Sequence, residues 1–294
     1  MPLEDGYRIE PRSGLSGEEA IQVAALKVLC DVTDRLDLKV QPEMQRAGDL
    51  AGVPDTIIAR RDGVIAGCCT LDGGSELEIC GMVHPAHRRR GVGRALLDAA
   101  RDLAVRRNAA RALLICEDAS TGGRALLASV LGDVRADFKE LRMELDASPA
   151  AARGTTSQGV EVRVAGAAEL DTLAATQAAV FDDSPQSVRW NISHDMADPR
   201  YRYYLATRNG QPVSSLKVIF VEPRAYIYAF GVVPGERRQG VGRAVLAEVI
   251  ARLRTEGWRR TALEVETDNS AAMALYRSLG FHDVTTYGYY PLPL

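Results

Sequence analysis

The chain repeats one motif at a distance of 149 residues, and this repeat constrains the fold more than any other feature. Residues 82–97 read MVHPAHRRRGVGRALL and residues 231–246 read GVVPGERRQGVGRAVL, so that Pro85 and Pro234 occupy the same place. An internal repeat of about one domain length indicates two copies of one fold. The 294 residues, of which 46% are hydrophobic, suffice for two hydrophobic cores.

The flanks of the motif repeat as well. Strand-like stretches precede it at 77–83 and 226–232, and short apolar strands follow at 112–116 and 262–265. Between them, apolar residues at helical spacing predict an amphipathic helix. These residues are Val92, Leu96, Ala99 and Leu103 in the first copy and Val241, Val245, Leu246, Val249, Ile250 and Leu253 in the second. Asp62-Gly63 and Asn209-Gly210 are typical of tight hairpin turns.

A linker is predicted between the copies. Residues 147–158 are rich in small, polar and turn-forming residues and lack apolar periodicity. An alternating strand pattern begins again at residues 160–165 and is similar to the one at residues 7–10. We therefore predict one domain over residues 1–146, a linker over 147–158 and a second domain over 159–294.

The repeated motif has the composition of an anion-binding loop. In the second copy, residues 237–243 read RRQGVGR and lie between a predicted strand and a helix N-terminus. Two glycines allow close approach of the backbone to a ligand, and the free N–H groups and dipole of the helix favour a phosphate or pyrophosphate. A nucleoside-triphosphate loop is excluded because Gly242 is not followed by Lys-Ser/Thr. A dinucleotide-binding loop stays an alternative, since Glu264 and Glu266 lie near the required distance.

A second motif follows the next predicted strand, at residues 269–281, and reads NSAAMALYRSLGF. Together the two motifs resemble the GNAT (GCN5-related N-acetyltransferase) family. The matching positions are Val232, Pro234, Arg237, Gly240, Gly242, Asn269, Ala272, Leu275, Tyr276, Gly280 and Phe281. The resemblance implies an α/β (α+β) fold of two tandem GNAT domains, each with a mixed, mostly antiparallel central sheet flanked by helices.

The resemblance also implies acetyl-CoA, or another acyl-CoA, as co-substrate, with no metal. In the second copy the residues implied in binding it are Phe230, Val232, Arg237, Arg238, Gln239, Gly240, Val241, Gly242, Arg243 and Asn269. Their counterparts in the first copy are Arg88, Arg89, Arg90, Gly91, Val92, Gly93 and Arg94.

The resemblance implies that the second copy is the catalytic one. Tyr276 matches the general acid of the family, whereas the corresponding helix of the first copy, at residues 120–132, has Leu127 or Ala128 in that place. The strand at 226–232 carries no carboxylate, so Glu264 and Glu266 on the next strand are the candidate bases. The first copy shows the reverse pattern, because Glu78 stands on its strand. It is therefore predicted to be a degenerate domain.

Charge and hydropathy limit the partners. The formal net charge of −3 gives no long-range attraction to nucleic acid or an anionic membrane. No signal peptide or membrane-length apolar stretch is recognised, so we expect a cytoplasmic protein. We expect it to be a monomer or a homodimer. The expected acceptor is an amine of a small molecule or peptide. In the second copy, four aspartates between the first two predicted strands could attract an ammonium group, namely Asp182, Asp183, Asp195 and Asp198.

A second class of function stays open. A chain with two such loops could serve as a non-catalytic acyl-CoA-binding regulatory module, and turnover with amines would separate this from an enzyme.

Overall fold

The computed structural model describes residues 3–40, 54–133, 135–146 and 159–294, so the predicted linker at 147–158 lies outside the described residues. The strands are β1 (Tyr7–Arg12), β2 (Thr56–Arg61), β3 (Val64–Gly73), β4 (Glu76–Val83), β5 (Arg111–Glu117), β6 (Phe138–Asp146), β7 (Val160–Ala165), β8 (Tyr201–Arg208), β9 (Gln211–Val221), β10 (Arg224–Val232), β11 (Arg260–Glu266) and β12 (His282–Pro291). The helices are α1 (Gly17–Asp34), α2 (Val92–Arg106), α3 (Thr121–Leu131), α4 (Leu170–Phe181), α5 (Pro185–Asp195), α6 (Val241–Thr255) and α7 (Ser270–Ser278).

The chain forms two compact units. The first unit comprises Met1–Glu140 with Thr285–Leu294, and the second comprises Leu141–Val284. Most of β12 thus belongs to the first unit and most of β6 to the second. The domain boundaries at 146 and 159 stay a prediction.

In the first unit the strand order is β1-β2-β3-β4-β5-β12, and only β4 and β5 are parallel among the pairs from β1 to β5. Two cores cover its two faces. Val92, Leu96 and Leu103 of α2 pack in one core, and Val23 and Leu26 of α1 pack in the other. This arrangement confirms the predicted mixed, mostly antiparallel sheet with flanking helices.

The second unit repeats this architecture, with the strand order β6-β11-β10-β9-β8-β7. Its larger core lies under α6 and α7, and a smaller core lies under α4 and α5. All six apolar residues that predicted helix α6 are buried. Both predicted hairpin turns are present, because Asp62 and Asn209 adopt positive φ angles of 49° and 52°, each followed by a positive-φ glycine.

In each unit the two central parallel strands part after four residue pairs. In the second unit β10 and β11 pair from Arg224–Arg260 to Ile227–Leu263. In the first unit β4 and β5 pair from Glu76–Arg111 to Ile79–Leu114. Within these described strands no pairing continues toward the loop, so each sheet contains a gap that is closed at the last pair and open at the loop.

A buried ion pair lies at the closed end of the gap in the second unit. Arg142 of β6 donates to Oε1 of Glu264 over 2.8 Å, with side-chain exposures of 0% and 4%. Its guanidinium also lies 5.7 Å from the ring centre of Tyr226. Glu264 directly follows Leu263, the last paired residue of β11. The pair therefore fixes β6, β10 and β11 where the strands begin to part.

Replacing Arg142 with leucine should destabilise the second unit by about 3–5 kcal/mol, because the carboxylate of Glu264 stays buried without its counterion. Arg142→Leu combined with Glu264→Leu should recover most of that loss. Both tryptophans, Trp190 and Trp258, lie in the second unit, so urea denaturation followed by tryptophan fluorescence reports on this unit.

Arg277→Leu is the control, since Arg277 pairs with Asp283 at the surface and its loss should change the free energy of unfolding little. An Arg142→Leu variant as stable as this control would contradict the assigned role of the buried pair.

Candidate active site

The loop before α6 presents a helix N-terminus without a side-chain cap. Gly240 occupies the N-cap position with φ of 79°, and no side chain hydrogen-bonds to the first turn. A β-carbon at Gly240 would meet nothing within 4 Å, so the positive φ, and not crowding, requires glycine here. The N–H groups of residues 241–243 precede the first intrahelical bond, which Ala244 donates to Gly240. They are available to an anion.

The predicted binding residues converge around Gly242. A β-carbon there would lie 3.4 Å from the side chains of Leu275, Phe230 and Val232. The start of α6 therefore packs closely on the end of β10 and on α7. This brings the loop, the gap and the helix that carries Tyr276 together.

The three predicted arginines of this loop differ in their contacts. Arg237 donates to the carbonyl oxygens of Val232 (2.9 Å) and Val180 (3.1 Å), and Arg243 donates to the Ser278 hydroxyl. Both side chains thus tie the loop to neighbouring elements. Arg238 is exposed and has no hydrogen bond or ion pair with any residue in the described ranges. It is the arginine with a guanidinium available to a phosphate.

A β-bulge interrupts β10 on the edge of the gap. Tyr228 pairs with Lys217 of β9 and Gly231 pairs with Ser215, so Ala229 and Phe230 together oppose the single residue Leu216. Ala229 has a positive φ of 48°, which is uncommon for a residue other than glycine. Ala229 and Phe230 therefore share one counterpart, so one of them has no partner of its own in the β9 register.

The corresponding strand of the first unit, β4, has no such bulge. There β4 pairs with β3 without a register shift from Leu77 to Val83. As a result, Ile79 precedes Gly91 by 12 residues, whereas its counterpart Ile227 precedes Gly240 by 13. The extra residue lies in the bulge.

Tyr276 lies on α7 and is buried, with 7% of its surface exposed. Its ring centre lies 6.5 Å from that of Phe230 and 6.0 Å from that of Phe281. Burial raises the pKa of Tyr276 to about 12, because the phenolate would lose its hydration. The hydroxyl forms no hydrogen bond with any described residue, so it stays protonated and available as a donor.

Asn269 is the N-cap of α7. Its side-chain oxygen accepts a hydrogen bond from the N–H of Ala272 over 3.1 Å. The side-chain NH₂ group is not needed for this cap, so it can donate to a ligand. Gln239, by contrast, is held by Gly235 and Arg208.

The two predicted bases have different surroundings. Glu264 lies at the closed end of the gap, where Arg142 binds its carboxylate. Glu266 is exposed at the end of β11, toward the open end, and its main-chain oxygen accepts a hydrogen bond from the N–H of Asn269. Their catalytic role stays a prediction.

The sequence suggested that Asp195 could attract an ammonium group, but its carboxylate is buried. It is 1% exposed, and its Oδ2 accepts hydrogen bonds from the hydroxyl of Tyr203 and from Lys217 at 3.2 Å. The pairing attaches α5 to β8 and β9. Lys217 was missed by the sequence analysis, because no local pattern links it to an aspartate 22 residues earlier.

The loop of the first unit repeats this geometry. Gly91 has φ of 84° and precedes α2 without a side-chain cap, and Arg88 donates to the carbonyl of Val83 over 3.0 Å as Arg237 does to Val232. Arg88 also pairs with Asp34 and Arg90 with Glu4, whereas Arg89 is exposed. The same loop geometry is thus present in both units.

No helix in the described ranges has both the length and the apolarity to cross a membrane. Within the same residues, no group of three or more His, Cys, Asp and Glu side chains could hold a metal ion.

Comparison with known proteins agrees with this geometry. A profile of the acetyltransferase (GNAT) family matches residues 31–132 and 168–281. Mycothiol acetyltransferase from Geodermatophilus obscurus is 30% identical over 301 residues, covering 95% of this chain and 94% of that protein.

Two solved structures share the fold. A GCN5-related N-acetyltransferase from Sphaerobacter thermophilus has a TM-score of 0.78 at 18% identity, covering 99% of this chain and 96% of that one. A tandem GNAT protein from the clavulanic acid biosynthesis pathway has a TM-score of 0.69 at 19% identity, covering 97% and 98%. The resemblance inferred from the two motifs is confirmed in both halves of the chain.

Gly240→Glu should abolish binding of acetyl-CoA to the second unit, because it places a negative charge beside the pyrophosphate and disfavours the positive φ. Calorimetry on the full chain measures this as the loss of one binding site. Gly235→Glu is the matched control, since it adds the same charge to the same loop at a glycine without positive φ and with nothing within 4 Å. Equal binding by Gly240→Glu and the control would refute the loop assignment.

Proposed function

Since the chain belongs to the acetyltransferase (GNAT) family of acyl-CoA-dependent N-acetyltransferases, we propose that its second unit moves an acetyl group from acetyl-CoA to a primary amine of a small molecule or peptide. The observation that carries this proposal is that a bulged strand and a protonated tyrosine occur together at one gap in the sheet. Both features are present in the second unit, and the corresponding positions of the first unit have a regular strand and Leu127.

The residues around the gap fit the phosphate and amide groups of this co-substrate. The N–H groups at the start of α6 and the guanidinium of Arg238 would hold the pyrophosphate. The main chain of Phe230 and Val232 would pair with the amides of the pantetheine arm, and the NH₂ group of Asn269 would donate to the same arm. Acetyl-CoA supplies a thioester that a neutral amine can attack.

Two groups of this chain would assist the attack. N–H groups at the bulge, at Ala229 and Phe230, can donate to the carbonyl oxygen on which negative charge develops. As the C–N bond forms and the C–S bond breaks, the Tyr276 hydroxyl donates its proton to the leaving sulfur. The attacking amine gives up one proton, which restores the phenol, so an amide and a thiol are the products.

Of the two predicted bases, Glu264 is the less available, because Arg142 binds its carboxylate. Glu266 is exposed but lies two residues farther from the closed end. Either could receive, through water, the proton that an ammonium group loses before the attack, and the amine can also enter the site already neutral.

The first unit, in this proposal, binds coenzyme A or an acyl derivative without transferring the acyl group. Its loop has the geometry of the second loop, but Leu127 replaces the proton donor and β4 lacks the bulge. A purely regulatory role for the whole chain remains the alternative that turnover measurements exclude or support.

A second candidate substrate is favoured by the relatives. The name mycothiol acetyltransferase, at 30% identity over nearly the whole chain, supports acetylation of a cysteinyl amine as by mycothiol synthase. Tyr226 stands where we expect a glutamate in such an enzyme. It is 3% exposed beneath the guanidinium of Arg142, so it offers no proton acceptor to the amine. We therefore rank this acceptor below the general class of primary amines.

Tyr276→Phe should lower kcat by about 10²–10⁴-fold while acetyl-CoA affinity changes little, because only the donated proton is lost. Since the pKa of Tyr276 is about 12, the variant and the wild type should share the shape of their pH–rate profiles between about pH 6 and 10. Steady-state turnover with the best amine of a panel is the measurement.

Tyr290→Phe is its control, since burial also raises the pKa of Tyr290 but this residue lies in the first unit. If Tyr276→Phe retains the kcat of this control, with chemistry shown to limit the rate, Tyr276 is not the proton donor.

Deleting Ala229 should remove the bulge and lower kcat by about 10²-fold or more, because the main-chain donors then pair with β9. Binding of acetyl-CoA should persist in weakened form, since the loop is unchanged but the main chain of Phe230 beside the pantetheine arm shifts. Ala229→Gly is the matched variant, because glycine adopts the positive φ without strain and should keep turnover near that of the wild type. A fully active deletion variant that folds normally by circular dichroism would show that the bulge has no catalytic role.

A further inference from the structure

The first unit contains a cavity of about 500 Å³ in the gap between β4 and β5. This volume is within the range of small-molecule sites. One end reaches Arg89 and Gly91 of the loop, where the first unit would hold a phosphate group. The other end reaches Ile79 and Leu114, the last paired residues of the two strands. The cavity thus runs from the phosphate loop to the closed end of the gap.

At the closed end the cavity opens to both faces of the sheet. On the face of α2 it is lined by Cys69 and Leu96. On the face of α1 it is lined by Leu38, whereas Cys30 lies nearer the loop, where its thiol donates to the carbonyl of Val83. The charged side chains of the lining, including the ion pair of Arg88 with Asp34, belong to the loop, α2 and the end of α1. The space beyond the end of a pantetheine arm is therefore apolar.

Three positions show that this apolar character is specific to the first unit. Met82, Ile115 and Leu127 line its cavity, and at the same motif offset the second unit carries Gly231, Glu264 and Tyr276. A glutamate and the proton donor of the second unit are thus replaced by apolar side chains. The larger Met82 occupies the place of a glycine. A polar amine would lose its hydration here without compensation, whereas a hydrocarbon chain would not.

The thiols that line the cavity are kept protonated. Burial raises the pKa of Cys30, that of Cys69 to well above its usual range, and that of Cys116 to about 11. Because the thiolate is the nucleophilic form, these cysteines leave a bound thioester intact.

We propose that the first unit binds a coenzyme A thioester whose acyl chain is apolar and longer than acetyl, and holds it without transferring it. This rests on the proposed coenzyme binding by the first loop and names the class of thioester that the site selects. The chain would extend toward the last β4–β5 pair, between Leu38, Met82 and Ile115, while the loop holds the pyrophosphate.

The test is calorimetry on the full chain carrying Gly240→Glu, which leaves only the first loop intact. The ligands are coenzyme A and its acetyl, butanoyl, hexanoyl and octanoyl thioesters. Affinity should rise by about two- to fourfold for each methylene from acetyl to hexanoyl, since each one is removed from water. Adding Gly91→Glu should abolish binding of all five ligands.

Ile115→Glu in the same background introduces the residue that the second unit carries. It should remove the dependence on chain length and preserve binding of unacylated coenzyme A. If this variant does not fold, Leu127→Tyr serves instead, because Leu127 is only partly buried and a tyrosine there should weaken octanoyl binding more than acetyl binding.

Affinities that are equal from acetyl to octanoyl, or that fall with length, would overturn the proposal and leave the coenzyme assignment intact. Binding that survives Gly91→Glu would also overturn it, because the ligand would then lie elsewhere. Absence of any coenzyme binding by the first unit would refute both this proposal and the assigned role of the first loop. The turnover tests of Tyr276 concern the second unit and would not be affected.

Discussion

The parting of two parallel strands after four residue pairs is the constraint on which the rest of the structure depends. Main-chain groups inside a sheet require hydrogen-bond partners, and those that face the gap have none from the neighbouring strand. An extended ligand with its own amides can satisfy them. The helix N-terminus at the open end has no side-chain cap, so its N–H groups can bind an anion. In the second unit the buried pair of Arg142 with Glu264 holds the closed end of the gap. In the proposed function, the loop, the gap and helix α7 then bind one elongated co-substrate.

The two units share the parted strands and the loop, and they differ in the groups near the closed end of the gap. The second unit has a bulge and a protonated tyrosine, to which the proposed function assigns charge stabilisation and proton transfer. The first unit has a regular strand, and its cavity is lined there by apolar side chains and neutral thiols. Binding and chemistry therefore have different requirements, and one fold can keep the first without the second.

The sequence was sufficient for the parts of the fold that depend on local patterns. The repeat, the helices after each loop and the hairpin turns at Asp62 and Asn209 followed from periodicity and turn chemistry. The bulge did not, because a single inserted residue such as Ala229 leaves the apolar pattern of the strand readable in either register. The pairing of Arg142 with Glu264 and that of Lys217 with Asp195 join residues on different elements, so no spacing in the sequence marks them. The arginine motif was read as anion-binding, yet Arg237 and Arg88 also hold the loop to the preceding strand.

The central claim is that the second unit lets an amine attack the thioester directly. Initial rates of thiol release, measured with the full chain while both acetyl-CoA and a primary amine are varied, test it most directly. The account predicts release that requires the amine, an N-acetylated product by mass spectrometry, and intersecting double-reciprocal lines. Parallel lines, or release of thiol without an amine, would contradict direct attack. Binding of acetyl-CoA with no release for any amine of a broad panel would instead identify a non-catalytic acyl-CoA-binding protein.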